Sequence, residues 1–259
     1  MRLTRVHVDT PLAAGEELPL PEGPATHLSR VLRLAVGDRC VLFNGDGNDY
    51  PSIVTTIGKR EVRVRLEAPV AVDNESPLRI VLLQGIARGE KMDLILQKAT
   101  ELGIAEVRPL VSQRSEVKLD DARAARRLSH WQAVVAAACG QCGRARVPRV
   151  AAPEPLAKVL AGLDPDAEDA RSALPSGDAP LRLLLDPDGG LALNGLPLGL
   201  GNAGVVLAVG PEGGWSPADR VQLLAAGFRG LRLGPRILRT ETAGLAAIAA
   251  LQAGFGDLR

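Results

Sequence analysis

Aromatic side chains are scarce: three Phe, two Trp and one Tyr in 259 residues. So few rings leave little material for the stacked-base platforms of common RNA-binding modules, and a nucleic-acid contact would have to rest on phosphates and shape. Cysteine is scarce too, and its three copies make no paired disulfide framework. Cys139-Gly140-Gln141-Cys142 spells CxxC, yet a structural zinc site needs four ligands. No second pair exists, since Cys40 lies far up the chain and His130 stands alone, so no metal is expected. No apolar run is long enough to span a bilayer. MRLTRVHVDTP has no apolar signal-peptide core, and a cytoplasmic location is expected. A GxxxxGK[ST] loop is missing, which disfavours a P-loop ATPase. Gly199–Gly204 spells GxGxxG, but it follows a Pro-rich turn and precedes a strand, the wrong context for a dinucleotide fingerprint.

The net charge of +1 by itself points to no nucleic-acid partner. Its distribution says more. Acidic residues are absent from Ala122 to Pro153, where Arg123, Arg126, Arg127, Arg144, Arg146 and Arg149 occur, and Glu154–Asp188 is strongly acidic. A local basic face can hold phosphate even in a near-neutral chain. A solvated helix face is the alternative.

Hydrophobic residues make up 46% of the chain, ample for a core in one large domain or two modest ones. The most ordered grammar is in Val205–Ala243. Val205–Val209 predicts a strand that breaks at Gly210-Pro211-Glu212-Gly213-Gly214. Ser216 is suited to cap a helix, with Pro217 first inside it and Asp219 three residues after the cap; Gly227 stops it after Ala226. Leu231–Leu233 predicts the next strand, Gly234-Pro235 a turn, and Thr240 a cap for a final helix. Repeated strand–loop–helix units imply a parallel sheet, whose ligand crevice forms at the carboxyl ends of the strands. Leu181–Leu185, ending at Asp186-Pro187, should bring its carboxyl end to the same crevice.

Upstream, Leu3–Val8, Arg39–Asn44, Tyr50–Ile57 and Glu61–Leu66 read as strands, with Gly45–Asn48 a hairpin turn. A short helix over Ala25–Leu34 would set His27, Arg30 and Arg33 on or near one face. Val70–Pro77 reads as a linker. Leu78–Leu83, a helix striped by Met92, Ile95, Leu96, Ala99 and Leu102, and Glu106–Val111 form a βαβ unit. Long and short helices follow over Asp121–Gln141 and Pro153–Leu163, and Asp164–Pro180 reads as a polar loop. Thr240–Phe255 is apolar nearly all round, which suits burial within one chain or packing on a second copy.

GPEGGWS (Gly210–Ser216) and LRLGPRILRTETA (Leu231–Ala243) together resemble the two C-terminal signatures of the bacterial 16S rRNA (uracil-N3) methyltransferases, the ribosomal RNA small-subunit methyltransferase E family of the SPOUT superfamily. THLSRVLR, GEKMDLILQKATELG, RSEVKL (Arg114–Leu119) and ACGQCGR extend the resemblance over most of the chain. It implies an α/β fold: a SPOUT-type parallel sheet with a C-terminal trefoil knot over 73–259, plus a small N-terminal PUA-like β-barrel over 1–72 that binds RNA. It further implies a homodimer built through the knotted domain. The implied reaction moves methyl from S-adenosylmethionine to N3 of uridine 1498 (rRNA numbering) of 16S rRNA, with the assembled 30S subunit as the expected substrate and no metal or membrane involved.

On that resemblance, the cofactor lies against Leu185, Gly210, Pro211, Glu212, Gly213, Gly214, Leu233, Gly234, Ile237, Leu238, Arg239 and Thr240. Arg5, His27, Arg30, Arg33, Arg114, Arg123, Arg127, Arg144 and Arg146 are candidates for RNA contact. Uracil N3–H is a weak acid flanked by two carbonyls. Arg239 is placed to steady the resulting oxyanion or a phosphate. Glu212 and Glu241 are the acidic residues of the two loops, and either serves as general base if burial raises its pKa. Glu212 bonding only to loop amides, Glu241 favouring a helix N-terminus, and proton loss to solvent remain open. Trp215, beside the glycine loop, suits a contact with cofactor or base, or core packing. Two other functions stay in view: a non-catalytic RNA-binding knotted dimer, and a SPOUT methyltransferase acting on another RNA position.

Overall fold

The structure, a computed structural model, describes residues 3–58, 61–115, 120–163, 179–196 and 204–258. The end of RSEVKL, most of the 164–180 loop and most of the GxGxxG stretch lie outside these. The chain divides into two compact units, Met1–Glu75 with Val135–Val147, and Ser76–Val134 with Pro148–Arg259.

The first unit is built on a six-stranded sheet: β1 (Arg5–His7), β2 (Glu17–Pro19), β3 (Arg39–Phe43), β4 (Asn48–Ile57), β5 (Val62–Leu66) and β6 (Val70–Ala71). Its order is β1-β3-β4-β5-β2, with β6 on β4 and β1 parallel to β3. The period-two pattern puts Val54, Val62, Val64 and Leu66 inward, onto Val6, Leu18, Leu28 and Leu42. The helix expected at Ala25–Leu34 starts earlier, as α1 (Glu22–Thr26), and continues as a π-helix over His27–Val31. The Leu32 N–H donates to the His27 carbonyl five residues back, and the Ser29 hydroxyl takes the Ala25 carbonyl. Arg33 then adopts φ 55°, so it leaves the helix and does not share a face with His27 and Arg30. The wider π-turn was invisible because its residues are ordinary helix formers.

The second unit carries a parallel sheet in the order β10-β8-β7-β12-β11-β13, with β9 on β8. Its strands are β7 (Ile80–Gly85), β8 (Glu106–Val111), β9 (Arg149–Val150), β10 (Glu154–Pro155), β11 (Leu181–Leu185), β12 (Val205–Val209) and β13 (Arg229–Leu231). Continuous apolar runs suit strands covered on both faces. The further α-helices among the described residues are α2 (Lys91–Glu101), α3 (Asp121–Cys142), α4 (Leu156–Ala161), α5 (Pro217–Ala225) and α6 (Thr240–Phe255). Residues 121–134 of α3 belong to this unit and 135–142 to the first. Met92, Ile95, Leu96 and Ala99 of α2 are buried, as their spacing requires.

Boundaries differ from expectation at several elements, among them these three. β7 runs to Gly85, because polar Gln84 pairs with Val209 inside the sheet. β13 spans Arg229–Leu231 rather than Leu231–Leu233, because those three residues pair in register with Leu183–Leu185 of β11; there Gly230 meets Gly189, where a Cβ on Gly189 would lie 2.6 Å from the Gly230 carbonyl carbon. Pro153–Leu163 splits into β10 and α4, with Pro155 capping the helix in extended geometry. α5 follows its capping grammar: the Asp219 N–H donates to Ser216 Oγ, and the Ser216 N–H donates to Asp219 Oδ2, each at 3.0 Å.

Ser216 Oγ also donates to Gln113 Oε1 at 2.8 Å, so Ser216→Ala should cost about 1–2 kcal/mol, read by denaturant unfolding. An unchanged midpoint would show that the cap carries no stability. A Cβ on Gly85 would sit 2.5 Å from the Pro211 nitrogen, so Gly85→Ala should destabilise by about 1–3 kcal/mol in the same assay.

Candidate functional site

The loops after β11, β12 and β13 meet at the carboxyl ends of their strands, where a parallel sheet opens its crevice. They enclose a cavity of about 450 Å³, a size suited to a small ligand. Leu185–Asp188, Gly210–Glu212, Gly214–Trp215, Leu231–Gly234 and Arg236–Thr240 line it, with Lys91 and Arg220. Much of the wall is main chain. Gly214 and Gly234 take φ 65° and 76°, conformations that a side chain would strain. A Cβ on Gly210 would lie 3.3 Å from both the Gly214 carbonyl carbon and the Trp215 ring.

A buried hydroxyl ties two of these loops. Thr240 Oγ1 donates to the Gly210 carbonyl oxygen, and Gln84 Nε2 donates to Thr240 Oγ1 at 3.2 Å and to the Gly85 carbonyl at 2.9 Å. Arg239, in extended geometry, occupies the N-cap of α6, and Thr240 is the first helical residue. The expected cap at Thr240 is thus displaced by one residue, because its side chain is spent on Gly210 and not on its own helix.

Charge around the cavity is mostly paired. Buried Asp186 meets Arg220 at 2.6 Å, and its Oδ1 accepts the Asp188 N–H. Glu212 Oε1 accepts the Arg88 N–H at 3.0 Å and lies 3.4 Å from Lys91 Nζ, which is 3.7 Å from Glu241. Burial alone would raise the Glu212 carboxyl. The backbone amides of Arg88 and Glu212 together with the Lys91 ammonium outweigh it and hold the group below its ordinary pKa. Glu241 Oε2 and Trp215 Nε1 are buried without hydrogen-bond partners among the described residues.

Every residue expected against the cofactor lines this cavity except Gly213. That glycine faces away: a Cβ there would meet Arg114 Cβ at 3.1 Å and the Arg114 carbonyl at 3.2 Å. Arg114, expected toward RNA, donates to the Gly213 carbonyl at 3.1 Å. Arg239 and Glu212 line the cavity; Glu241 does not. A raised Glu212 pKa is also corrected, since its partners stabilise the anion.

Of the other RNA candidates, His27, Arg30, Arg33, Arg123 and Arg146 are exposed and Arg127 is half-buried. Arg5 and Arg144 are corrected. Arg5 is locked by Asp49, by the Cys139 and Arg144 carbonyls and by the Phe43 ring, whose centroid is 4.5 Å away. Buried Arg144 pairs with Glu75. Partners far apart in sequence draw both guanidinium groups inside the first unit. Cys139 is buried there as well, and burial pushes its thiol up to about 12, so it stays protonated near neutrality.

Sequence reasoning brought the Asp186 end of β11 to this crevice but did not single out Lys91, Arg220, Arg232 or Arg236 as cavity-lining residues. Arg232 and Arg236 lie within the LRLGPRILRTETA signature and were legible there; Lys91 and Arg220 needed the fold.

Residues 74–252 match the RNA methyltransferase domain family, and residues 24–67 match the RNA methyltransferase PUA domain family. The ribosomal RNA small subunit methyltransferase E of Buchnera aphidicola (subsp. Schizaphis graminum) is 30% identical over 99% of this chain and 98% of its own. The enzyme of that name from Neisseria gonorrhoeae, solved bound to S-adenosyl methionine, is 36% identical with a TM-score of 0.88, covering 100% of both chains. A Legionella pneumophila protein solved in complex with the cofactor SAM is 34% identical with a TM-score of 0.89, again over 100% of both. The chain belongs to the RNA methyltransferase family that contains the ribosomal RNA small subunit methyltransferases E.

Proposed function

We propose that this protein transfers methyl from S-adenosylmethionine to N3 of uridine 1498 in 16S rRNA, on the assembled 30S subunit. The observation that carries the reading is the cavity walled by Gly210–Glu212, Gly214, Leu233–Gly234 and Arg236–Thr240, which fall in the two stretches that resemble the family signatures. Its volume and main-chain walls fit a purine nucleoside with a short amino-acid tail, whose ring edge pairs with backbone groups. The cofactor brings an already activated methyl group, so alignment supplies much of the rate.

The chain has to hold uracil with N3 in line and stabilise the charge left when the N3 proton departs. Arg239, exposed on the rim, is the group for the oxyanion on O2 or O4. Glu212 is a poor base, being tied to Arg88 and Lys91 with its pKa lowered. Glu241 lies outside the cavity lining. The proton therefore goes to water.

The first unit serves as a PUA-like barrel that anchors RNA through His27 and Arg30, with Arg33 and Arg146 as further phosphate contacts and Arg123 and Arg127 adding contacts from the second unit. The second unit carries a deep trefoil knot, a reading supported by the resemblance of Gly210–Ser216 and Leu231–Ala243 to the family signatures. Two copies pair through α6, whose Thr242, Ala246 and Ala253 are exposed small residues. The protein works in the cytoplasm.

Methyl transfer from labelled cofactor to 30S subunits lacking the mark, with the nucleoside identified by mass spectrometry, should yield N3-methyluridine at position 1498; another product or position would overturn the assignment. Arg239→Ala should lower transfer about 10²–10³-fold while equilibrium dialysis shows cofactor binding retained. Glu212→Gln and Glu241→Gln should each fall well short of the ~10²–10⁴-fold loss expected for removing a general base, and a loss of that size would restore the carboxylate to the proton-transfer role.

A further inference from the structure

The acidic groups near the cavity mouth have cationic neighbours: Asp186 with Arg220, Glu212 with Lys91 and the Arg88 amide, and Asp188 with Arg220 at 3.9 Å. Three cations on the rim are different. Arg232, Arg236 and Arg239 are exposed, line the cavity, and have no acidic partner among the described residues. They lie within eight residues of one another on the segment from β13 to α6. Ile237, between two of them, is 85% exposed, and Leu238 is half-buried. An exposed arginine on a folded surface ordinarily finds a carboxylate or is diluted among mixed charges. A segment that concentrates three unneutralised guanidinium groups around an open apolar side chain is complementary to a sugar–phosphate backbone, which offers anionic oxygens and an apolar sugar face.

Resting on the function proposed above, we infer that Arg232 and Arg236 form a phosphate-gripping lip that binds the RNA backbone beside the target uridine, with Ile237 against a flanking sugar or base. The lip places an RNA contact on the second unit within one loop of Arg239. The guanidinium forks suit phosphate oxygens bidentately, and each phosphate engaged releases condensed counterions. The grip supplies register, while the cavity floor, lined by main chain and by Leu185 and Leu231, is left to the cofactor. Because a target base must leave its stack before reaction, holding both flanking phosphates offsets part of that cost.

The test measures binding of full-length protein to unmethylated 30S subunits over a series of KCl concentrations, alongside calorimetric S-adenosylmethionine affinity, for wild type, Arg232→Gln, Arg236→Gln and the double variant. Each single substitution should reduce the slope of log K against log[KCl] by about 0.7–0.9, additively in the double variant, with cofactor affinity within about twofold of wild type. Slopes equal to wild type would overturn the lip. A loss of cofactor affinity with unchanged RNA slopes would reassign both arginines to the cofactor's carboxylate and also overturn it. If the wild type binds the cofactor but neither binds nor methylates 30S, the proposed substrate fails and the lip with it, a result distinct from a failure confined to the variants. Ile237→Ala, which removes no charge, should weaken RNA binding without changing the slope.

Discussion

No side chain fits between Gly85 and Pro211. The end of β7 and the first glycine loop are packed main chain against main chain, and much of the cavity depends on that contact. It sets where the β12 loop turns. Thr240, held by Gln84, then fixes the Gly210 carbonyl, so the start of α6 is anchored to the same point. A second close approach, at Gly189 and Gly230, holds the β11 loop against β13. Glycines at these crossings act by what they leave out. They let three loops converge closely enough to wall a ligand with backbone, which a cavity lined by bulky side chains cannot do.

The electrostatics follow from this geometry. Buried Asp186 needs a partner and has Arg220, while Glu212, exposed at the mouth, is held by an amide and a lysine. Anions are thereby neutralised around the cavity, while Arg232, Arg236 and Arg239 on the outer rim have no acidic partner among the described residues. The result is a cationic mouth over a cavity walled largely by main chain.

In the first unit the same logic runs inward. Arg5 and Arg144 are cations of the kind that read as nucleic-acid ligands in a sequence, yet Asp49, Glu75 and backbone carbonyls enclose them. Removing one partner of such a pair leaves an uncompensated charge, so these arginines serve the packing of β1 with the segment around Cys139. His27 and Arg30, on a π-turn beyond the sheet, stay in solvent.

Local chemistry by itself determined much of this protein. The capping box at Ser216 and Asp219, the stop at Gly227, the apolar runs of β11 and β12 and the striped face of α2 are encoded within a few residues, and short-range sterics and hydrogen bonds decide them. The grouping of Leu185, Gly210–Glu212 and Leu233–Thr240 was also legible, because parallel strands deliver their carboxyl-end loops to one place. Tertiary structure alone decided the rest. Whether Gly213 faces the cavity or Arg114, whether Arg5 is ligand or strut, whether Glu212 is base or anchored anion, and which arginines are left unpaired all depend on neighbours tens to more than a hundred residues away. Charge and burial are sums over space, and a linear pattern carries no term for a partner that only folding brings near.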